Sequence, residues 1–594
     1  MMTSITDSYI DEIELDRYEE TVAQYQRGEI DKDKLMVVRL QQGVYGQRQD
    51  GVNMVRIKLP GGRVSPRQLA GIGDILQKYS QEDVASITTR QDFQLHSIAL
   101  EHTSLTLRAL ADLGLTTREA CGNTVRNICA CPLAGVCERE HVDVQPFIEQ
   151  TVRHFLRHRL TQHMPRKIKM SFSGCELDCA QGMIHDVGVV AVRRNNQFGF
   201  KVLAAGGLGH KPREAIVIEP FIDEADLLPV IEAVIAVHNK YSQRKKRARS
   251  RVKFLVDRFG EQGFIERYQV EVKKTRAAYA HVRDHVSGHW SAGSVQGEYG
   301  TGAPRTIIPQ KQTGRFVFPI AVPLGDLSAE QLRGIAGLLL ALNIDDIRTT
   351  QDQNLVLVGV SAGSFATIRQ RLAEMDLANP VAGDNVVACP GTWTCRLGIT
   401  ASKNIAEKLN GFSADLKIRV SGCHNGCAQP TVADIGIHGE GKRLHGKLIP
   451  HYRLFFGGDG RGGGGIGIKG PEVPAARITK AIERIRDAYM TCRVGSESFR
   501  QWSTAISAEK YHDLLADLIY VSENDLAEVL YDHGDELEFK VSQFGGGECA
   551  GVSHEDVAAN FSEAAMERNY LRSFLLAREY VQAIECARAM THLV

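Results

Sequence analysis

Residues 421–427 read SGCHNGC and residues 173–179 read SGCELDC, so a pair of cysteines four positions apart occurs twice in one chain. Each pair is preceded by another pair with a wider gap, in CPGTWTC at 389–395 and in CPLAGVC at 131–137. The two halves therefore carry the same cysteine pattern in the same order. An internal repeat of this kind predicts a duplicated structural unit.

Working outward from the cysteines, the repeat extends over most of the chain. SPRQLAGIGDIL at 65–76 and SAEQLRGIAGLL at 328–339 both begin with serine and have glutamine three positions later, which is the capping-box pattern of a helix start. Alternating strand-like stretches flank both helices, and later amphipathic stripes follow both cysteine sets. These stripes are Leu227, Ile231 and Val234 in one half and Ile478, Ile482 and Ile485 in the other. The sequence predicts an α+β fold written twice.

Composition restricts the class of protein. Lysine plus arginine and aspartate plus glutamate number 71 each among the 594 residues, so no overall charge favours nucleic acid or an anionic membrane, and nucleic-acid binding is not expected. The chain begins with an acidic stretch and has no run of 18 apolar residues, which predicts a cytoplasmic protein without membrane contact. In that setting, cysteines in tight pairs predict metal ligands rather than disulfides.

The spacing of the thiols favours an iron–sulfur cluster over zinc. Structural zinc sites use ligand pairs that are two to four residues apart, which the CPGTWTC gap does not match. Four thiolates on one wide loop and one tight turn can instead reach the four irons of a [4Fe–4S] cube. The alternative of four reduced thiols without a ligand is less favoured.

The second cysteine set also carries a family resemblance. CPGTWTCRLGIT followed by SGCHNGC resembles the signature of the sirohaem-containing sulfite and nitrite reductases, and GVYGQRQ, TTRQDFQLH, GNTVRN and PRKIK resemble other motifs of that family in the right order. The resemblance spans residues 36–490. It implies the family's pseudo-twofold, duplicated haemoprotein fold. It also implies that a [4Fe–4S] cluster is bound by Cys389, Cys395, Cys423 and Cys427, with Cys427 shared with the sirohaem iron.

The resemblance also divides the chain into regions. Residues 1–35 form an N-terminal extension and 246–303 a connector between the halves. The predicted first half contains a ferredoxin-like half-domain at 36–104 and a sirohaem and substrate domain at 105–245. The predicted second half contains a ferredoxin-like half-domain at 304–370 and a [4Fe–4S]–sirohaem domain at 371–490. Residues 491–594 are an appended helical region whose purpose the sequence leaves open.

By family position, the cations that bind the substrate anion come from the first half. The resemblance assigns this catalytic role to Arg90, Arg126, Lys167 and Lys169. Arg56, Arg118, Lys311 and Gln312 are expected to contact the sirohaem carboxylates. The second half lacks part of this set, since Asp384 occupies the position that corresponds to Arg126. We therefore expect the substrate side of the site from the first half and the cluster from the second.

The complete first-half thiol set departs from many relatives that have one cluster. Two readings stay open for Cys131, Cys137, Cys175 and Cys179. They bind a second [4Fe–4S] cluster, or they are residual thiols at a site where no cluster assembles.

The resemblance implies a six-electron reduction of a small oxyanion. Lys169 is typical of the sulfite reductases, where nitrite reductases tend to have asparagine, so sulfite is the predicted substrate and nitrite the alternative. A non-catalytic cluster or zinc protein is a distant alternative. GGDGRGGGG at 457–465 does not fit a dinucleotide loop and is interpreted as a flexible connector. Electrons are thus expected from a separate donor. GNTVRN and PLAG resemble the ferredoxin-dependent branch of the family, which implies a donor such as ferredoxin. The basic run at 244–253 is predicted to be a solvated helix face or a donor contact.

Overall fold

The computed structural model of the chain describes residues 9–280, 286–293, 303–412, 416–541 and 556–593. Within these residues, four five-stranded sheets carry the fold, and the two halves contribute two sheets each. The predicted duplicated α+β architecture is confirmed. None of the helices described is long and apolar enough to cross a lipid bilayer.

The smaller sheet of each half is antiparallel and borrows an edge strand from the other half. In spatial order, the first contains Val44–Gly46, Val52–Ile57, Phe93–Ala99, Ala85–Ile87 and Asp326–Leu327, and the second contains Ile308–Pro309, Arg315–Ile320, Leu355–Ser361, Asp346–Thr349 and Arg63–Val64. Asp326–Leu327 pairs with the first half, and Arg63–Val64 pairs with the second. This exchange joins the halves through main-chain hydrogen bonds.

Two helices, Pro66–Tyr79 and Ala329–Ala341, pack against each other across the junction of the halves. Both predicted capping boxes are present, because the Ser65 and Ser328 side chains each accept from the N–H three residues later and the glutamine side chains accept in return. The helices approach closely at Gly73, where an added Cβ would lie 2.9 Å from the Ala329 carbonyl oxygen. Their apolar faces belong to one continuous core that spans both halves.

The larger sheet of each half carries the cysteines. These sheets contain Val125–Ala130, Ile168–Ser173, Val187–Arg194, Gln197–Ala204 and Ile216–Ile222 in the first half, and Val386–Ala388, Ile418–Ser421, Ile435–Leu444, Lys447–Phe456 and Ile468–Pro474 in the second. The first three strands of each are parallel, and the last two are antiparallel. In each half the first cysteine follows the first strand directly, and the CxxxC turn follows the second strand. The parallel pairing therefore brings all four thiols of a half to one sheet edge.

Helices cover these sheets and extend to both ends of the described chain. The remaining helices are Glu12–Gln26, Lys32–Gln41, Leu100–Asp112, Gln145–Phe155, Arg159–Gln162, Leu227–Tyr241, Lys253–Tyr279, Phe365–Ala373, Ser402–Leu409, Ile478–Cys492, Phe499–Thr504, Ala508–Leu514, Ala516–Ile519, Leu526–Val529, Asp556–Leu576 and Tyr580–Leu593. The long helix Lys253–Tyr279 is interrupted at Gly260, whose φ is 72°.

The C-terminal region has a structural role that the sequence did not reveal. Its first part packs on the second-half core through Trp502 and Tyr511. Its last two helices return to the first half, where Tyr570 is buried in the core and its hydroxyl donates to the Glu232 carboxylate at 2.7 Å. Glu567 pairs with Lys274 at 3.0 Å in the same interface. The end of the chain thus anchors helices of the first half.

The prediction of a solvated helix over the basic run at 244–253 is wrong. Arg247–Arg249 forms a short 3-10 turn, and the following helix begins only at Lys253. Arg251 is largely buried, because its guanidinium pairs with the buried carboxylate of Asp186. Only the middle of the run, Lys245–Arg249, is exposed.

Two glycines test the packing of the central helices. We expect Gly73→Ala to lower the free energy of unfolding by roughly 1–3 kcal/mol, because the new methyl group overlaps the opposite helix. Gly337→Ala is the matched control in the other helix, where a Cβ would meet nothing within 4 Å. That change should raise stability by up to about 1 kcal/mol, since alanine favours helix over glycine. Denaturant unfolding measures both, and a stabilising Gly73→Ala would contradict the close approach.

Candidate active site

Two buried glutamines connect the halves next to the cysteine loops. The Gln91 amide donates to the Thr349 carbonyl of the other half at 2.9 Å and accepts from the Ala130 N–H at 2.8 Å. Gln353 repeats this arrangement, donating to Ile87 at 2.8 Å and accepting from the Ala388 N–H at 2.9 Å. Ala130 and Ala388 directly precede the first cysteine of their sets. The exchange between halves therefore fixes where both cysteine loops begin.

The second-half thiols have the surroundings that an iron–sulfur cluster requires. The Gly422 N–H donates to the Cys389 sulfur at 3.2 Å, and the Asn425 side chain donates to the Cys423 sulfur at 3.5 Å. Burial raises the pKa of the Cys423 thiol far above its ordinary value. A bound metal cation is therefore needed to displace its proton. N–H groups directed at sulfur are the usual outer contacts of thiolate ligands.

The first half holds this cysteine loop from the opposite side. The Arg48 N–H donates to the Thr394 carbonyl at 2.9 Å, and the Gln49 side chain donates to Trp393 at 2.6 Å. The Thr89 hydroxyl donates to the Cys427 carbonyl at 2.8 Å. Cys427 itself is exposed. Its neighbours in the first half place it directly beside the TTRQ turn.

The predicted anion-binding residues Arg90 and Lys169 meet at this point. The Arg90 guanidinium lies 3.3 Å from His185 Nε2 and donates to the Asn127 carbonyl. The pKa of Lys169 is lowered to about 7, because burial removes water from its ammonium and the charges of Arg90 and Arg251 repel it. Cys427 acts on the same ammonium in the opposite direction. An anion binding between these groups would relieve their mutual repulsion.

An ion pair between Asp186 and Arg251, which the sequence did not predict, holds the main chain of Lys169. The Asp186 carboxylate accepts from the Lys169 N–H at 2.8 Å and from the Arg251 guanidinium at 3.0 and 2.6 Å. Asp186 is fully buried. The one available signal was the repeat, since Asp434 occupies the same position in the second half and accepts from the Lys417 N–H. Nothing in the sequence pointed to Arg251.

Arg126 and Arg56 lie side by side on a second wall of the cationic region. Both donate to the Ala120 carbonyl, at 2.7 Å and 3.4 Å respectively. Both also contact Tyr45, since Arg126 donates to its hydroxyl at 3.1 Å and Arg56 lies over its ring at 5.3 Å. The two predicted cations are therefore held close together by fixed partners.

A buried lysine that the sequence analysis missed connects these cations. The pKa of Lys58 is lowered to about 8 by burial, against the attraction of Glu119 and Asp92. Burial raises the pKa of Asp92 to about 6, although Arg56 and Arg90 are close enough to oppose the rise. The charges of the first half thus form one continuous group. Its basic members are Arg56, Lys58, Arg90, Arg118, Arg126 and Lys169.

The remaining predicted contacts are spread more widely. Arg118 bonds to Gln162 at 2.9 Å and pairs with Glu14 at 3.3 Å. Lys167 is half-buried and directly precedes the strand Ile168–Ser173. Lys311 and Gln312 lie on the first-half CPLAGVC loop, where Lys311 pairs with Glu140 at 2.7 Å and Gln312 donates to the Gly135 carbonyl at 2.9 Å. A sirohaem contact for these two residues stays a prediction.

The first-half thiols also converge. Cys131, Cys137, Cys175 and Cys179 line one small, open cavity. Burial raises the pKa of Cys137 to about 11 and that of Cys175 to about 12. These thiols are neutral in the absence of a cation.

The glycine-rich stretch 457–465 is not a flexible connector as predicted. It joins two antiparallel strands of the second half and is closed by hydrogen bonds in both directions between Asp459 and Gly465. Its Gly462 N–H donates to the Leu177 carbonyl of the first-half CxxxC turn at 3.0 Å. The glycines allow this close approach, because a Cβ at Gly462 would lie 2.3 Å from the Glu176 carbonyl oxygen.

The donor set fits the predicted prosthetic groups. Four thiols at one sheet edge fit an iron–sulfur cluster. The exposed Cys427 beside a group of fixed cations fits a metal-containing macrocycle that carries carboxylates. A site of this composition belongs to a redox protein that binds a small anion.

Comparison with known proteins supports this assignment to the redox proteins. Residues 121–276 match the family described as "Nitrite and sulphite reductase 4Fe-4S domain". Residues 45–113 and 308–375 match the "Nitrite/Sulfite reductase ferredoxin-like half domain". The chain belongs to the nitrite and sulfite reductase family, whose cofactors are sirohaem and a [4Fe–4S] cluster.

Three relatives show how far the similarity extends. The assimilatory ferredoxin-dependent nitrite reductase of Haloferax mediterranei is 29% identical over 78% of this chain and 84% of its own length. A protein of Mycolicibacterium paratuberculosis named sulfite reductase [ferredoxin] 1 is 26% identical over 81% of this chain and 90% of its own length. The solved structure of the Mycobacterium tuberculosis NirA protein has a TM-score of 0.70 and 25% identity, covering 84% of this chain and 97% of that one.

The buried pair of Asp186 and Arg251 can be tested directly. Arg251→Met should lower the free energy of unfolding by roughly 3–5 kcal/mol, because it leaves the Asp186 carboxylate buried without its main cation. Arg213→Met is the control, since Arg213 pairs with Asp257 at the surface and its loss should cost less than about 1 kcal/mol. Equal losses in denaturant unfolding would contradict a special role for Arg251.

Proposed function

We propose that this protein reduces sulfite to sulfide in a six-electron reaction, with electrons delivered by a separate one-electron carrier such as ferredoxin. The observation that carries the proposal is the position of Lys169, close enough to Arg90 and Cys427 for their charges to act on one another. Lysine at this position, where asparagine is typical of nitrite reductases, favours sulfite.

The cofactors would be held from both halves. Cys389, Cys395, Cys423 and Cys427 would hold the [4Fe–4S] cluster, and Cys427 would be the thiolate that also serves the sirohaem. Arg56 and Arg118 of the first-half cationic group would bind carboxylates of the macrocycle, and Arg90, Arg126, Lys167 and Lys169 would bind the substrate anion. When bound, the two cofactors supply electrons one at a time to the sulfur atom of the substrate.

The side chains have separate tasks at the substrate. Arg90 keeps its charge and is oriented by the Asn127 carbonyl, so it binds and orients the oxyanion. Lys169 has a pKa lowered to about 7, so its ammonium can give a proton to a departing oxygen. Asp186 fixes the main chain of Lys169, and Arg251 fixes Asp186. These contacts keep the proton donor in place over successive reduction steps.

The electron donor is proposed to be a separate protein because the glycine-rich stretch connects two antiparallel strands instead of opening a helix. The exposed residues Lys245, Lys246 and Arg249 offer a basic surface for an acidic carrier. The named ferredoxin dependence of two relatives supports this assignment.

Nitrite is the second candidate substrate. The Haloferax relative and a chloroplastic relative from Arabidopsis thaliana are named nitrite reductases, and nitrite is also a small anion that the same cations can bind.

Exchange of Lys169 separates the two substrates. We expect the native enzyme to have the higher kcat/KM for sulfite with a chemically reduced donor, and Lys169→Asn to shift the sulfite-to-nitrite ratio towards nitrite by about tenfold or more, as loss of a charged contact worth about 1.5–3 kcal/mol implies. Lys417→Asn changes the corresponding lysine of the second half and should leave the ratio unchanged. A native preference for nitrite would refute the sulfite assignment.

Cys427 is tested by the visible spectrum. Cys427→Ser should remove the sirohaem absorbance together with turnover, because the shared sulfur is replaced by an oxygen that binds iron poorly. Cys492→Ser, at an exposed cysteine on the helix Ile478–Cys492, should keep both. Intact absorbance and turnover in Cys427→Ser would overturn the shared ligand.

A further inference from the structure

The first-half cysteine loops have the same backbone scaffold as the second-half loops. The N–H of Cys131 donates to the Phe172 carbonyl at 3.2 Å, and the N–H of Cys389 donates to the Val420 carbonyl at 3.1 Å. The serine that opens each SGCxxxC turn accepts from the N–H following the last cysteine, at 3.1 Å in both halves. Equal spacing on an equal scaffold brings the four first-half cysteines to the corresponding edge of their own sheet.

The surroundings of the first-half set hold its loops in place. Glu140 accepts from the Gly135 N–H at 2.8 Å and from Lys311, which fixes the wide loop. The glycine-rich stretch of the second half covers the CxxxC turn through Gly462 and Leu177. The thiols of Cys131 and Cys179 are close enough for a hydrogen bond. The four cysteines therefore line one cavity on loops that are held in place from both halves.

From these observations we infer that Cys131, Cys137, Cys175 and Cys179 bind a second [4Fe–4S] cluster, one that has no tetrapyrrole beside it. The inference concerns a site separate from the one proposed for anion reduction, and it holds whichever anion is reduced.

The absence of a tetrapyrrole at this second site is inferred from the charges at the corresponding positions of the second half. The residue before Gln353 is Asp352, whereas the residue before Gln91 is Arg90, so a carboxylate replaces the anion-binding guanidinium. Asp352 pairs with Arg419, whose side chain is fully buried. Arg461, which acts electrostatically on Cys179, is paired with Asp459 at 2.7 Å. Arg419 and Arg461 on this side are therefore already paired with carboxylates, and a polycarboxylate macrocycle finds fewer available cations here than in the cationic group around Lys169.

Metal counting on the native holoenzyme tests the inference. Protein purified without oxygen should contain about nine irons and about eight acid-labile sulfides per chain, since each cube has four of both and sirohaem adds one iron. Cys175→Ser and Cys137→Ser should each lower these values to about five and about four while the sirohaem absorbance stays. Cys492→Ser is the matched control and should keep about nine.

Other results would overturn the inference. A native count of about five irons with no zinc means residual thiols, and about five irons with one zinc means a zinc site. Neither count requires a variant to fold. Failure of the proposed function would give a different result. The sirohaem absorbance or the sulfite turnover would be missing, while the acid-labile sulfide lost in Cys175→Ser and Cys137→Ser would still be present in the native protein.

Discussion

The whole arrangement depends on two amide side chains that cross between the halves. Gln91 and Gln353 are buried, and each joins a carbonyl of the other half to the N–H that precedes a cysteine set. A buried amide that loses such partners costs roughly 1–3 kcal/mol for each unsatisfied group. Another relative position of the halves would leave these buried groups unsatisfied, and the edge strands exchanged between the halves stabilise the same position.

On this symmetric scaffold, single residues make the two sites different. Arg90 and Asp352 occupy corresponding turns, yet one presents a cation and the other neutralises a buried arginine. The contrast explains how duplication can supply two thiol sets while only one faces an anion-binding region. Asp186 accepts from the Lys169 main-chain N–H and so fixes the backbone of the lysine that we propose as proton donor.

Much of this could be predicted from the sequence, because its causes are local. The capping boxes at Ser65 and Ser328 and the spacing of the cysteines depend on neighbours a few positions away, and the structure has both helices as expected. Arg251 and Lys58 could not be recognised, since a cation in a charged run or beside a strand becomes buried near a carboxylate only when distant parts of the chain pack together. The glycine-rich stretch was misread for the same reason, as its partner Leu177 lies far away in sequence.

The crossed edge strands have a consequence for the chain as a folding unit. Arg63–Val64 completes a sheet of the second half, Asp326–Leu327 completes one of the first, and the C-terminal helices reach back over the first-half core. Each half consequently lacks an edge strand that the other half provides. Were the backbone severed between the lobes, the two fragments would have to reassociate to regain order, so the ancestral duplication has become an obligate partnership within one polypeptide.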